Sequence, residues 1–244
     1  LDPSAMSVYV IGDSHGHYLF ARAQAATAHC LPGHTMHRAG RDGLEHLLNL
    51  IEPAPGDDYI FVFGEIDVRQ HLIRVAGEKG WAYEAVVTEL ADRYITALRA
   101  SLDGLAHRPR VSLLGIVPPF DHPQGARVLP PHGPLRDRLV VWYLLSEAIK
   151  ERAREAGYGF IPIPKIYHAR DGSLKRRYSD GFAHIAKDCT GPVVRAVEKA
   201  LGVDLAFRPL PRRRHLLRSA LRQIALINDD WSALWSLGES VIDA

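Results

Sequence analysis

The stretch Ser7-Val8-Tyr9-Val10-Ile11-Gly12-Asp13-Ser14-His15 decides the fold. Ser7 to Ile11 is β-rich and largely apolar, and Gly12 stops it. A run of this kind, followed by the Ala-rich, helix-prone stretch Tyr18 to Ala28, reads as a buried strand handing over to a helix. The same alternation recurs outward from it. Thr35 to Ala39 reads as a short second strand ending at Gly40, and Leu44, Leu47, Leu48 and Ile51 have helical spacing before Pro53, Pro55 and Gly56 break the chain. Tyr59 to Phe63 (YIFVF) is apolar throughout, as a strand covered on both faces must be.

Val87, Leu90, Ala91, Tyr94, Ile95 and Leu98 form an amphipathic helical stripe. Val111 to Leu114 is a fourth strand, followed by a Pro- and Gly-rich loop, Gln124 to Pro134. Val141, Leu144, Leu145, Ala148 and Ile149 make the next helix, with Gly157 as its cap. Phe160 to Ile163 is a fifth strand, and Pro192 to Leu201 a helix with proline at its start. Strands alternating with helices predict a three-layer α/β/α domain around a flavodoxin-like parallel sheet of about five strands, in the order 2-1-3-4-5.

We expect residues 1–5 to be an expression-tag remnant ahead of Met6, residues 6–202 to form the α/β domain, and residues 203–244 a C-terminal helical extension. In that extension Leu216, Leu217, Leu221, Ile224 and Leu226 are expected to supply a buried face, with the arginines of Arg212 to Arg222 solvated. The alternative is docking to an acidic partner, an anionic membrane surface or an anionic substrate. Trp231 and Trp235 follow.

Composition narrows the function. The 244 residues carry a formal net charge of +2, too small to argue for nucleic acid. No apolar run approaches the roughly 20 residues of a membrane span. The absence of a leader-like pattern after Met6 gives a cytoplasmic expectation. Two cysteines, Cys30 and Cys189, make neither a disulfide framework nor a zinc set, and read as reduced thiols.

In a doubly wound sheet, ligands bind beyond the carboxyl ends of the strands. Three polar clusters follow strands here: Gly12 to His15, Gly64 to Arg69, and Asp180 with His184. A serine hydroxyl needs a base within hydrogen-bond reach, and the base needs an orienting acceptor. Ser14 is therefore the candidate nucleophile, His184 its base and Asp180 the orienting acid, while Asp13 shapes the turn.

Together these blocks resemble the SGNH/GDSL-type hydrolases, a superfamily of esterases, lipases and sugar O-acetyl esterases. Ile11-Gly12-Asp13-Ser14 resembles their first block, Gly64 to Asp67 their Gly-x-Asn-Asp turn, and Asp180-Gly181-Phe182-Ala183-His184 their final Asp…His block. Gly115 to Pro119 and the approach from Asp171 to Gly181 agree with it. The resemblance runs from about Ser7 to Leu201 and implies an ester hydrolase needing no metal or organic cofactor, acting on a small-molecule or glycan ester. It also implies an oxyanion site to which Gly40 would contribute from the second block.

Two departures stand out. The place of the family's Asn holds Ile66, which has no donor, so Arg69 is the candidate replacement, with Asp67 beside it. The final block is one residue longer than Asp-x-x-His. Asp67 and Arg69 also admit a plainer reading, as a structural ion pair. Arg38, Arg41, Arg69 and His71 would suit an anionic substrate.

Two other classes remain open. Gly12-Asp13-Ser14-His15-Gly16 also resembles the opening of the calcineurin-like phosphoesterases, in which Asp13 and His15 would hold a metal. The third is a binding protein that kept the fold and lost the chemistry.

Overall fold

The computed structural model describes residues 6–120, 130–228 and 232. Five parallel strands form one sheet in the order β2-β1-β3-β4-β5. They are β1 (Val8–Gly12), β2 (Ala26–Cys30), β3 (Asp58–Val62), β4 (Arg110–Leu114) and β5 (Gly159–Ile161). The order and the parallel sense are those the sequence predicts.

The helices are α1 (Ser14–Phe20), α2 (Met36–Asp42), α3 (Glu45–Leu48), α4 (Leu72–Lys79), α5 (Tyr83–Asp103), α6 (Leu135–Glu155), α7 (Gly191–Leu201) and α8 (Arg212–Asn228). No helix among the described residues is long and apolar enough to cross a membrane. Residues 1–5, 121–129, 229–231 and 233–244, with most of the expected loop Gln124 to Pro134 and both Trp231 and Trp235, lie outside the described residues.

The core lies on both faces of the sheet, which is why β3 is apolar throughout. Tyr59 and Phe61 pack with Leu90, Tyr94, Leu98 and Val141 under α5 and α6. Ile60 and Val62 point the other way and pack with Leu19, Val193 and Val197 from α1 and α7. Period-two alternation along one strand thus serves two helical layers.

Two elements differ from the sequence expectation. The second strand is Ala26–Cys30, not Thr35 to Ala39, so the helix expected over Tyr18 to Ala28 ends at Phe20. Ala26–Cys30 (ATAHC) has little β-propensity of its own; its strand state comes from pairing along β1 at the sheet edge. The Thr35 hydroxyl accepts the Arg38 N–H at 3.0 Å and caps α2, so the chain there enters a helix.

The C-terminal helix also reverses its expected orientation. Arg222, expected to be solvated, is buried and holds the buried Asp188 carboxylate through two bonds of 2.7 and 2.5 Å. Leu216, Leu217 and Ile224, expected inside, are exposed. Charge pairing to a distant loop, which periodicity cannot register, sets the orientation of this helix.

Candidate active site

Strand β1 ends at Gly12, where a side chain would collide with the Val62 carbonyl of β3. The next residue, Asp13, caps α1: its Oδ1 accepts the His15 N–H at 2.7 Å. Ser14 is therefore the first residue of α1, half-buried at the carboxyl edge of the sheet.

The candidate base, His184, comes from a turn 170 residues later. Asp180 Oδ1 accepts the N–H groups of Phe182 at 2.8 Å and His184 at 3.1 Å, and Asp180 N–H donates to the His184 carbonyl at 3.0 Å. Gly181, at φ +89°, lets the chain turn within this spacing. The longer Asp-to-His interval therefore still closes: His184 Nδ1 lies 2.7 Å from Asp180 Oδ2. The other ring nitrogen, Nε2, lies 3.1 Å from Ser14 Oγ. The structure thus brings Ser14, His184 and Asp180 into one chain of contacts.

Burial lowers the pKa of His184, against the raising effect of Asp180, so the imidazole is neutral near pH 7 and can accept a proton. Burial would raise Asp180, but His184 and the two backbone N–H groups outweigh it and keep the carboxylate ionised. Tyr18 stacks on the His184 ring, with centroids 3.9 Å apart and planes at 11°.

Behind this chain lies a second buried set that the sequence reading did not assemble. His15 Nδ1 is 3.1 Å from Asp13 Oδ1; its Nε2 is 3.3 Å from the Ala183 carbonyl and 3.5 Å from Glu65 Oε2. Glu65 also takes the Arg69 Nε–H at 2.9 Å. Burial alone would lower His15, but Asp13 and Glu65 outweigh it and raise its pKa to about 9. Arg69 and His15 in turn lower Glu65 against its own burial. The spacing of Glu65 and Arg69, four residues apart on a helical turn, was the available signal. The link to His15 is tertiary and left none.

The remaining candidates are placed as follows. Asp67 and Arg69 do not pair with each other. Asp67 is fully buried and accepts the N–H groups of Met36 at 2.7 Å and His37 at 3.0 Å, with His71 Nδ1 at 3.2 Å; it holds the start of α2. Arg69 stands on a π-helical turn (Asp67–His71), its guanidinium 5.3 Å from the Phe182 ring centroid. Its Nη1 is buried and has no hydrogen-bond partner among the described residues. Ile66, at the place of the family's Asn, is buried.

Gly40, expected to contribute to the oxyanion site, does not follow a strand. It lies inside α2, where an added Cβ would stand 3.2 Å from the Tyr94 backbone N of α5, so it permits close helix packing. The glycine that does follow β2 is Gly33, exposed and at φ +72°. Arg38 and Arg41 are exposed beside Asp42. Asp13 and His15, the metal ligands of the phosphoesterase reading, are instead turned toward each other, with Asp13 also capping α1. Cys30 and Cys189 are reduced thiols, and burial pushes Cys30 up to about 12.

No family model matches the chain, and no curated protein matches it. Solved structures do. A protein from Bacteroides fragilis designated an acylhydrolase superposes with a TM-score of 0.58 at 14% identity, covering 82% of this chain and 88% of its own. A GDSL-like lipase from Bacteroides thetaiotaomicron gives 0.52 at 16%, covering 80% and 85%. A carbohydrate acetylesterase from Sinorhizobium meliloti gives 0.52 at 15%, covering 81% and 99%. The chain has the fold of the SGNH/GDSL hydrolases.

Proposed function

We propose that this protein is a serine-dependent ester hydrolase. The observation that carries the proposal is the Ser14–His184–Asp180 chain, 3.1 and 2.7 Å between its members, at the edge of the sheet where the first strand becomes a helix. In this reading Ser14 Oγ attacks the ester carbonyl carbon while His184 Nε2 takes its proton. Asp180 holds the Nδ1–H tautomer and stabilises the imidazolium. His184 then protonates the leaving alkoxide, and water activated by the same imidazole hydrolyses the acyl-enzyme.

The developing oxyanion needs donors already in place. The Ser14 backbone N–H is one candidate. Arg69 Nη1, buried and without a partner among the described residues, is the second, standing in for the missing Asn. Gly33 replaces Gly40 as the candidate from the segment after β2. A small acyl group on a carbohydrate is the substrate class we favour, on the strength of the acetylesterase neighbour.

The test is labelling by a fluorophosphonate probe read by intact mass, followed by hydrolysis of aryl acetates and acetylated sugars. An adduct lost in Ser14→Ala and indifferent to EDTA supports the reading. No adduct together with metal-dependent phosphate-ester cleavage favours the phosphoesterase; no adduct and no activity leaves a binding protein, the outcome that Ile66 at the Asn position would explain.

A further inference from the structure

The His184 imidazole has polar neighbours that the proton transfers leave unused. Ser14, His17 and Tyr18 are spaced i, i+3 and i+4 on α1 and so share one side of that helix. The Tyr18 ring stacks on His184, and Lys187, at the start of the short helical turn Lys187–Cys189, places its ammonium 4.4 Å from the centroid of the same ring. Burial, Lys187 and His184 together hold the exposed His17 below its ordinary pKa, so its imidazole is neutral near pH 7 and stands close to both. Lys187 is half-buried, and its ammonium has no carboxylate partner among the described residues.

The carboxylates around the site are buried and engaged. Asp13 meets His15, Glu65 takes Arg69, Asp180 takes His184, and Asp188 takes Arg222. An ammonium left unpaired beside such carboxylates is placed for an anion from outside. The segment that carries the candidate base has the same bias. From residue 165 to residue 187 it holds Lys165, Arg170, Lys175, Arg176, Arg177 and Lys187 against Asp171 and Asp180, and His184 already neutralises Asp180. A basic stretch at the rim of a site draws anions toward it.

Position decides which part of the substrate is anionic. In the mechanism above His184 Nε2 protonates the leaving alkoxide, so groups beside His184 meet the alcohol part of the ester, while the oxyanion donors face the acyl part. One ammonium beside a neutral imidazole matches a monoanion, whereas a phosphate dianion calls on several cations.

We propose that the site selects acyl esters whose alcohol part carries a carboxylate, held by the Lys187 ammonium with the His17 ring beside it. The inference rests on the ester-hydrolase reading and narrows it: among carbohydrate esters, those of sugar acids fit.

The experiment compares 4-acetoxybenzoate, its neutral methyl ester and 4-acetoxyphenyl phosphate as substrates of the wild type, Lys187→Met and Lys187→Arg. The wild type is expected to show a KM for the benzoate about tenfold below that for the methyl ester, the size of one charge-assisted hydrogen bond at a half-exposed site. Lys187→Met should lose this advantage, and the loss should fall on KM rather than kcat, as removal of uniform binding requires. Lys187→Arg keeps the charge and should retain it. A variant that folds poorly turns over both esters less and leaves their KM ratio where it was, so the ratio reports on binding. A ratio near one in the wild type, a ratio unchanged in Lys187→Met, Lys187→Arg falling as far as Lys187→Met, or a phosphate preferred to the benzoate would each overturn the inference. Fluorophosphonate labelling of Ser14 separates the two levels. A wild type that is labelled yet treats the benzoate and its methyl ester alike refutes the carboxylate site only; one with neither adduct nor hydrolysis refutes the ester-hydrolase reading and this inference with it.

Discussion

The buried His15 gives the molecule an alkaline instability whose size follows from the structure. His15 is held at about 9, above its ordinary 6.5, because Asp13 and Glu65 outweigh the cost of burial. A group whose pKa is raised by folding stabilises the folded state fully below its unfolded pKa and ceases to do so as pH rises through the folded one. The stabilisation is therefore complete below pH 6.5 and lost by about pH 10. The difference between 6.5 and about 9 corresponds to about 3 kcal/mol, at roughly 1.36 kcal/mol per pKa unit.

Urea unfolding of the wild type and of His15→Gln at pH 6, 8 and 10 isolates this contribution, because lysines and tyrosines titrate alike in both proteins. The wild type should lose about 2–3 kcal/mol more than His15→Gln across that range. Parallel pH profiles for the two proteins would refute the assignment of a buried cation at His15. The same variant has a kinetic signature. The His15 ring is 4.5 Å from the His184 ring, and its charge lowers the His184 pKa. His15→Gln should therefore move the acid limb of the kcat/KM profile toward higher pH.

Three further outcomes are expected. Asp180→Asn should lower kcat/KM on an aryl acetate by about 10³–10⁴, because the imidazole loses its tautomer and its counter-charge; a loss below tenfold would remove Asp180 from the mechanism. Arg69→Ala should lower kcat by about 10²–10³ if Nη1 faces the oxyanion, with turnover unchanged if it does not. Arg222→Ala removes the two-bond partner of the buried Asp188 carboxylate, leaving His215 and the charge of Arg218 near it, and should cost about 3 kcal/mol in chemical denaturation; a change under ~1 kcal/mol, as for an exposed pair, would show that Asp188 is not held as the structure has it.

Local chemistry made some of this legible in the sequence. The first strand, Gly12 and the Ser14 helix start follow one another within a few residues, and the β3 apolar run can only be a strand covered on both faces. Ser14, His184 and Asp180 were readable because each follows a strand in a parallel sheet. Long-range contact hid the rest. Ala26–Cys30 is a strand by virtue of β1, and Thr35, which looks like a strand residue, is a helix cap. Asp67, expected at the site beside Arg69, anchors α2 from another part of the chain, a role that only the tertiary contact shows. Amphipathic periodicity identified α8 as a helix, but the distant Asp188 decided which face turned inward.

The Tyr18 ring lies between the His184 imidazole at 3.9 Å and the Lys187 ammonium, 4.4 Å from the ring centroid. A phenol face pressed flat on an imidazole imposes its ring current on the carbon-bound protons of that imidazole. The His184 resonances should accordingly stand displaced upfield from those of the chain's other histidines. The proposed base then carries its own magnetic label, and its protonation can be followed in the native protein without isotopic editing or an inhibitor.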